Sequence, residues 1–243
     1  MGQISIVINT YNAERDLRQV LESVKDFDEI VVCDMESTDS TLDIARQYGC
    51  RIVQFPKGEH SICEPARNFA IHKAHSEWVL VVDADEIVTN ELREYLYRYI
   101  ENDNHKCGLY IPRKNYIMGC FMKSSYPDYQ LRFFKRELTV WPPYIHSIPK
   151  VDGSTEKIPK GCMELALIHL SSTTFDQIRK LNEYTENEVE KRKKKHVSFM
   201  NMIYEPAFHF FKKFILKGDI RHGKIGLIQA VIMLCIVLLY CRK

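Results

Sequence analysis

The chain has 243 residues and an apolar content of 45 %, enough for one large α/β domain or two small ones around a substantial core. Its eight cysteines form no C-x-x-C pair, which argues against a zinc ribbon and predicts free thiols in a reducing compartment. The net charge of +2 is unevenly spread: from Lys191 onward there are twelve lysines and arginines against two acids. This basic tail predicts an anionic partner, a membrane or a nucleic acid.

Strands and helices are predicted to alternate through the first hundred residues. Four apolar runs predict strands: ISIVI (4–8), EIVVCD (29–34), RIVQF (51–55) and WVLVVDAD (78–85). Helical patterns follow them from residue 14 and over 37–49, 64–74 and 89–100. Nothing that resembles a signal peptide precedes the first strand, so a cytoplasmic domain is expected. The alternation predicts a parallel sheet covered by helices on both faces.

Three polar loops follow the predicted strands, with the sequences NTYN, CDMES and DADE. In parallel sheets, ligands bind beyond the carboxyl ends of the strands, so these loops are expected to converge on one site. The DADE segment places Asp83, Asp85 and Glu86 together, and Mg²⁺ or Mn²⁺ prefers such oxygen ligands. We interpret the missing positive charge as arriving with the substrate. A solvated loop that starts the next helix is the alternative for an isolated D-x-D.

After residue 105 the pattern predicts a mixed sheet and then helices. Strands are expected in GLYIPRKNYIMG, YQLRFFKR and CMELALIHL, followed by a long charged helix over 173–196. We predict one domain at 1–170, with two halves at 1–104 and 105–170. Residues 171–243 are expected to form a helical region, basic and apolar, that associates with a membrane.

Five stretches together resemble one known family: ISIVINTYNAE, DEIVVCDMESTDSTLDIARQYG, ARNFAIHKAHSEWVLVVDADE, YIPRKNY and YPDYQLRFFKR. They resemble the family 2 glycosyltransferases with the GT-A fold, closest to the lipopolysaccharide-core β-glucosyltransferase-like branch, over roughly residues 3–153. The resemblance implies a Rossmann-like, mostly parallel sheet flanked by helices. It makes 1–170 the catalytic domain, with 1–104 as the nucleotide-sugar-binding half and 105–170 as the acceptor half. It also implies inverting transfer of a hexose from a nucleotide-sugar, expected to be a UDP-sugar, with Mg²⁺ or Mn²⁺ as the cofactor.

The resemblance also assigns donor-binding residues. The nucleotide base would be bordered by the first loop, namely Thr10, Tyr11, Asn12 and Glu14. Asp34 would contact uracil or ribose, Arg67 the base or diphosphate, Asp83 the ribose side and Asp85 the metal. Simpler roles stay open: Glu14 as a helix cap, Asp34 as an acceptor for its own loop, and Arg67 as the partner of a surface acid.

Inverting transfer needs a base for the acceptor hydroxyl, and Asp128 in YPDYQLRFF is the first candidate. His146 is the second, and a turn-forming role for Asp128 is the alternative. The family commonly has His-Glu where this chain has His146–Ser147, which moves weight to Asp128. Strand alternation places Gln130 and Arg132 on the face of Asp128, where they would bind the acceptor or diphosphate, as would Arg113.

The tail predicts attachment to a membrane surface. Residues 225–241 are almost wholly apolar and would extend about 25 Å as a helix, which is the short limit for a bilayer span. The preceding FHFFKKFILK mixes aromatics and lysines as interfacial helices do, and EKRKKKH would attract anionic lipid. We expect peripheral or monotopic attachment at the cytoplasmic face of the plasma membrane. A true span and a homodimer contact are alternatives, while nucleic-acid binding is disfavoured.

Two other functions share parts of this pattern. A nucleotidyltransferase would use a similar sheet and acidic metal site, although NTYNAE lacks its glycine-rich, basic phosphate loop. A membrane-bound scaffold without catalytic activity is the second, and Ser147 alone favours it.

Overall fold

The structure is a computed structural model that describes residues 2–58, 63–144, 147–172 and 199–242. The chain divides into two compact units. The first contains Met1–Arg113 and Pro127–Leu170, and the second contains Lys114–Tyr126 and Ser171–Lys243. Residues 114–126, which were predicted to lie in the domain at 1–170, group with the C-terminal residues.

A parallel sheet forms the first part of the N-terminal unit. Strand β1 (Ile4–Thr10) lies between β2 (Glu29–Asp34) and β4 (Trp78–Asp83), and β3 (Arg51–Gln54) pairs with β2. The predicted strands are confirmed. Apolar residues of β1 and β4 are fully buried on both faces, as expected for strands covered by helices on each side.

Four helices flank this sheet: α1 (Glu14–Val24), α2 (Thr41–Gln47), α3 (Glu64–Lys73) and α4 (Asn90–Glu101). The predicted apolar face of α1 is confirmed, because Leu17, Val20, Leu21 and Val24 are all fully buried. Burial of each such side chain stabilises the fold by about 1.5–3 kcal/mol. Helix α2 begins four residues later than predicted, since Ser37 and Asp39 hydrogen-bond within the preceding loop.

The second half adds antiparallel strands, so the sheet is mixed rather than mostly parallel. Its long strands are β6 (Gly108–Ile117), β8 (Asp128–Lys135) and β12 (Leu167–Ser172), and the two-residue β5 (Glu86–Ile87) pairs with β12. The sheet order is β3-β2-β1-β4-β8-β6-β12-β5. Four short strands complete the set: β7 (Cys120–Phe121), β9 (Thr139–Val140), β10 (Lys150–Val151) and β11 (Thr155–Lys157). Strand β8 pairs antiparallel with both β4 and β6, which places Asp128 beside Arg113.

The C-terminal unit contains helix α5 (Phe199–Phe211), a π-helical segment (Lys212–Leu216) and helix α6 (Gly223–Arg242). Asp219, in the turn before α6, is fully buried and accepts a hydrogen bond from Ser124 of the 114–126 segment. A Cβ atom on Gly226 would lie 1.8 Å from the carbonyl oxygen of Asp219, so only glycine fits there. None of the helices that the structure describes is both long and apolar enough to cross a bilayer.

Candidate active site

The loops after β1 and β2 are joined by hydrogen bonds around Asp34. Thr10 and Asp34 are register partners, and the buried Thr10 hydroxyl donates to Asp34 Oδ1 at 2.9 Å. Ser37 adds two bonds to the same carboxylate, from its hydroxyl at 2.6 Å and its amide at 2.9 Å. Asp34 therefore organises its own loop in this structure. Its contact with uracil or ribose stays a prediction.

Asn12 and Glu14 fasten the same two loops together on the outside. Asn12 has a left-handed backbone (φ 49°), and its Oδ1 accepts from the Thr38 amide at 2.8 Å. Glu14 Oε2 accepts from the Ser40 amide at 3.0 Å, so its side chain bonds to the second loop. Tyr11 remains 47 % exposed, and Lys57 Nζ lies 4.3 Å from its ring centre. This fixed rim presents an aromatic face of the kind on which a nucleobase stacks.

Asp83 lies between two buried arginines. Its Oδ1 accepts from Arg67 Nη2 at 2.6 Å, and its Oδ2 accepts from Arg132 Nη2. Both guanidinium groups lie over the Trp141 ring, at 4.7 Å and 5.7 Å from its centre. Burial alone would raise the pKa of Asp83, but Arg132 and Arg67 more than offset it and hold that pKa well below its usual range.

Glu86 and Arg113 extend the ion pairs toward β8. Glu86 is fully buried, and its Oε1 accepts from Arg113 Nη1 at 2.9 Å. Arg113 also donates to Asp128 Oδ2 from Nε at 3.0 Å and from Nη2 at 2.8 Å. Gln130 Nε2 donates to Asp128 Oδ1 at 2.9 Å. Burial disfavours the charge of Arg113, but Glu86 and Asp128 outweigh it and raise its pKa.

These contacts correct our interpretation of the DADE charges. For Asp83 and Glu86 the positive charge is supplied by this chain, from Arg67, Arg132 and Arg113, and does not wait for the substrate. Arg67 pairs with a partly buried acid of the sheet edge, which differs from the surface pairing considered as its alternative. The six charges of Arg67, Arg113, Arg132, Asp83, Glu86 and Asp128, called the ion-pair cluster below, sum to zero.

Asp85 lies at the edge of this cluster beside a histidine that the sequence analysis missed. His169 Nε2 lies 3.3 Å from Asp85 Oδ2, and both side chains are partly exposed. The Leu170 amide donates to the Asp85 carbonyl at 2.7 Å, and His169 is the register partner of Glu86, which fixes the pair. A lone histidine in the predicted strand ALIHL carried no spacing signal toward DADE.

The Asp85–His169 pair fits a divalent metal such as Mn²⁺. A carboxylate oxygen and an imidazole nitrogen are both ligands for Mn²⁺, and partial exposure leaves room for further oxygens. In the described residues no group of three or more potential side-chain ligands occurs. Such a metal would complete its shell with water and substrate phosphate oxygens, as Mg²⁺ sites with one or two carboxylates do.

The second base candidate, His146, lies outside the described residues. Its neighbour Ser147 has a packing role: its hydroxyl donates to the Pro142 carbonyl at 2.6 Å and accepts from Trp141 Nε1 at 3.1 Å. Ser147 therefore holds the ring on which Arg67 and Arg132 lie. Its presence in place of a carboxylate has a structural explanation and needs no loss of catalysis.

Comparisons with known proteins find relatives that match most of the chain. An uncharacterized glycosyltransferase of Rickettsia typhi is 25 % identical over 245 residues, which cover 96 % of this chain and 83 % of the relative. The lipopolysaccharide core biosynthesis glycosyltransferase LpsC of Rhizobium meliloti is 25 % identical over 242 residues, covering 94 % and 86 %.

A solved mannosyltransferase from Pyrobaculum calidifontis, in complex with GDP-Man and Mn²⁺, has a similar fold, with a TM-score of 0.57 at 13 % identity. The match covers 99 % of this chain and 86 % of that one. The family model for glycosyl transferase family 2 matches residues 5–149, more than half of the chain and all of the strands that carry the two loops and the ion-pair cluster. The chain therefore belongs to glycosyl transferase family 2.

Proposed function

We propose that this glycosyltransferase transfers a hexose, with inversion, from a UDP-sugar to a lipid-linked or lipopolysaccharide-type glycan at a membrane surface. The observation that carries the proposal is the arrangement of Asp85, His169 and Asp128. The first two form a pair suited to a metal, and the third lies across the ion-pair cluster from them. The fixed rim around Asp34 and Tyr11 lies at the end of neighbouring strands of the same sheet.

The donor would bind at the ends of β1, β2 and β4. Tyr11 offers a face for the base, and Asp34, Thr10 and Asn12 border the same position. The Pyrobaculum mannosyltransferase was solved with a nucleotide-sugar and Mn²⁺, which supports this donor class and a divalent metal, with Mg²⁺ as the alternative ion. Asp85 and His169 would hold the metal. When bound, a metal there neutralises the charge that develops on the leaving diphosphate.

Asp128 would act as the base. Its carboxylate accepts two hydrogen bonds from Arg113, which fix the position of Oδ2. A carboxylate held in this way would take the proton from an acceptor hydroxyl within hydrogen-bond reach. Gln130 fixes the other oxygen of the carboxylate. Attack on the anomeric carbon from the side opposite the diphosphate inverts its configuration. The similarity to LpsC supports a lipopolysaccharide-type acceptor.

The C-terminal unit would bind the cytoplasmic face of the plasma membrane as a peripheral or monotopic element. Helix α5 exposes Tyr204, Phe208 and Phe211, and helix α6 exposes an apolar stripe at Leu227, Val231 and Leu238. Four exposed cations follow Phe211 and precede Leu227 along the chain: Lys212, Lys217, Arg221 and Lys224. Apolar stripes beside basic residues suit an interface of anionic lipid. A homodimer contact through α6 is the alternative.

Flotation with vesicles tests the membrane part. The paired change Phe208→Ser and Phe211→Ser should strongly reduce binding to vesicles that contain anionic lipid. Tyr144→Ser, at an exposed aromatic of the catalytic unit, should leave binding unchanged. Equal binding by all three proteins would remove the lipid role of α5, and a loss of dimer in sedimentation would favour the homodimer contact.

A donor screen tests the enzymatic part. The purified protein is incubated with a panel of UDP- and GDP-sugars, Mn²⁺ or Mg²⁺, and a membrane lipid extract as the acceptor. Release of UDP with radiolabelled sugar in the lipid fraction supports the proposal. Release of pyrophosphate would identify a nucleotidyltransferase, and no response to any nucleotide would support the non-catalytic scaffold.

A further inference from the structure

We propose that Glu86 is a positioning residue that fixes the base Asp128 relative to the metal-binding pair Asp85 and His169, acting through Arg113. The inference rests on the proposed function, because it takes Asp128 as the base and Asp85 with His169 as the metal ligands. Glu86 touches neither the acceptor nor the donor in this arrangement. It connects the parts of the chain that do.

The Oε2 atom of Glu86 stabilises the turn that carries Asp85. Glu86 Oε2 accepts from the Asp83 amide at 3.0 Å, which closes the Asp83–Glu86 turn from the inside. Glu86 also pairs through its backbone with His169, the register partner across β5 and β12. Asp85 and His169 are therefore both held by segments in which Glu86 is the shared neighbour.

The Oε1 atom of Glu86 connects to the base through Arg113. Glu86 Oε1 accepts from Arg113 Nη1 at 2.9 Å, while Arg113 Nε and Nη2 both bind Asp128 Oδ2. A guanidinium is planar and rigid, so its position transmits directly to the carboxylate that it grips on the other side. The Arg113 side chain is only 19 % exposed, which leaves it little freedom to compensate for the loss of Glu86.

Burial explains why the connection uses a charge. Glu86 is fully buried, and an ionised carboxylate there is tolerated only with cations and hydrogen bonds around it. Arg132 Nη2 lies 3.6 Å from the same Oε1 and adds a second cation. A buried carboxylate can hold an arginine in place, whereas an apolar side chain would fill the same space without doing so. In this site, holding Arg113 fixes the distance between the metal-binding pair and the base.

The decisive variant is Glu86→Gln, which keeps the size of the side chain and removes its charge. Displacing a catalytic group by about 1 Å lowers turnover about 100-fold, so a kcat loss of about 10- to 100-fold is expected. The Kd of UDP with Mn²⁺, measured by titration calorimetry, should change by less than about 3-fold. Arg113→Lys keeps the positive charge but cannot bridge the two carboxylates, and it should show the same split between kcat and donor affinity.

Glu29 provides a matched control. It is a strand carboxylate at the opposite end of the sheet, with one oxygen on the His75 amide at 2.8 Å and the other on Arg51 Nη1 at 3.1 Å. Glu29→Gln therefore removes the same kind of contacts far from the site. It should lower the urea midpoint without changing kcat.

A double-mutant cycle decides whether Glu86 acts through Asp128. The variant Glu86→Gln with Asp128→Asn should be no slower than Asp128→Asn alone, because a misplaced base and an absent base have the same consequence. Multiplying losses would overturn the proposal. So would Glu86→Gln with normal kcat and a weakened Kd for UDP with Mn²⁺, which would restrict Glu86 to the metal turn.

Stability provides a readout that needs no turnover. Glu86 and Asp128 share Arg113, so the same cycle in urea midpoints should be non-additive, and additive midpoints would overturn the link. If the wild-type protein transferred no sugar from any donor while the midpoints were non-additive, the proposed function would fail and the physical connection would stand.

Discussion

Two parts of one sheet edge hold their polar groups in different ways. The rim after β1 and β2 uses neutral donors on its carboxylates: Asp34 accepts from Thr10 and Ser37, and Glu14 accepts from the Ser40 amide. The ion-pair cluster uses three arginines and three carboxylates from α3 and strands β4, β5, β6 and β8. The rim joins segments about 25 residues apart, while the Arg132–Asp83 pair spans 49 residues.

The difference predicts how each part responds to mutation. In the rim, the loss of one neutral hydrogen bond leaves Asp34 with others, so the cost is small. In the cluster, the loss of one carboxylate leaves a buried guanidinium without its counter-charge, which is expensive. A rigid, charged arrangement and a tolerant rim suit the roles proposed above, catalysis at fixed distances for the cluster and nucleotide binding for the rim.

Asp128→Asn tests the catalytic end of the cluster. The variant keeps the shape and the hydrogen bond from Gln130 but cannot take a proton, so kcat should fall about 10²- to 10⁴-fold. The Kd for UDP with Mn²⁺ should stay the same, because the base does not touch the donor nucleotide. If that Kd rises as much as turnover falls, Asp128 contributes to donor binding and is not the base.

Asp85→Asn tests whether the metal-binding edge separates from the cluster. Losing one electrostatic contact that stabilises the transition state lowers turnover about 10²- to 10³-fold. We expect this loss for Asp85→Asn, which removes a proposed metal ligand, and the same loss for His169→Gln. The melting temperature should hardly change, because both side chains are partly exposed. Asp43→Asn, in an exposed pair with Arg46, is the control. A fully active Asp85 variant would take this residue out of the site.

Asp83→Asn tests the cost of breaking the cluster. The change leaves Arg67 and Arg132 facing a neutral amide, and the free energy of unfolding at pH 7 should drop by about 3 kcal/mol. The pKa of Asp83 is lowered in the folded protein, so the folded state binds fewer protons and stability falls as the pH drops below about 4, the range where unfolded Asp titrates. Urea unfolding at pH 7 and pH 3 should show a smaller acid loss for the variant. An equal loss would contradict the pairing.

Thr10→Val tests the rim. The change removes one neutral hydrogen bond from Asp34 and keeps the volume, so a loss of about 1 kcal/mol in unfolding free energy is expected. Thr38→Val, at an exposed position of the neighbouring loop, should stay within about 0.5 kcal/mol of the wild type. A Thr10 loss as large as that of Asp83→Asn would erase the contrast between rim and cluster.

More of the rim than of the ion-pair cluster could be predicted from the sequence, for a physical reason. The Thr10–Asp34 contact follows from two parallel strands of similar length that end together, and the apolar runs in the sequence indicate both strands. The cluster depends on the antiparallel pairing of β8 with β4 and β6, and no local pattern states which strand β8 joins. His169 lies 84 residues from Asp85, so their contact appears only in three dimensions. The 114–126 segment was likewise assigned by its position along the chain rather than by its packing.

Because Gly226 has no side chain, a substitution there would perturb the C-terminal unit alone. A single added methyl group would act as a wedge between α6 and Asp219, whose carboxylate also receives Ser124. That wedge would reach a segment that starts immediately after Arg113 and stops two residues short of Asp128 along the chain. Gly226→Ala would thus perturb, from within its own unit, the segment that joins Arg113 to Asp128 along the chain.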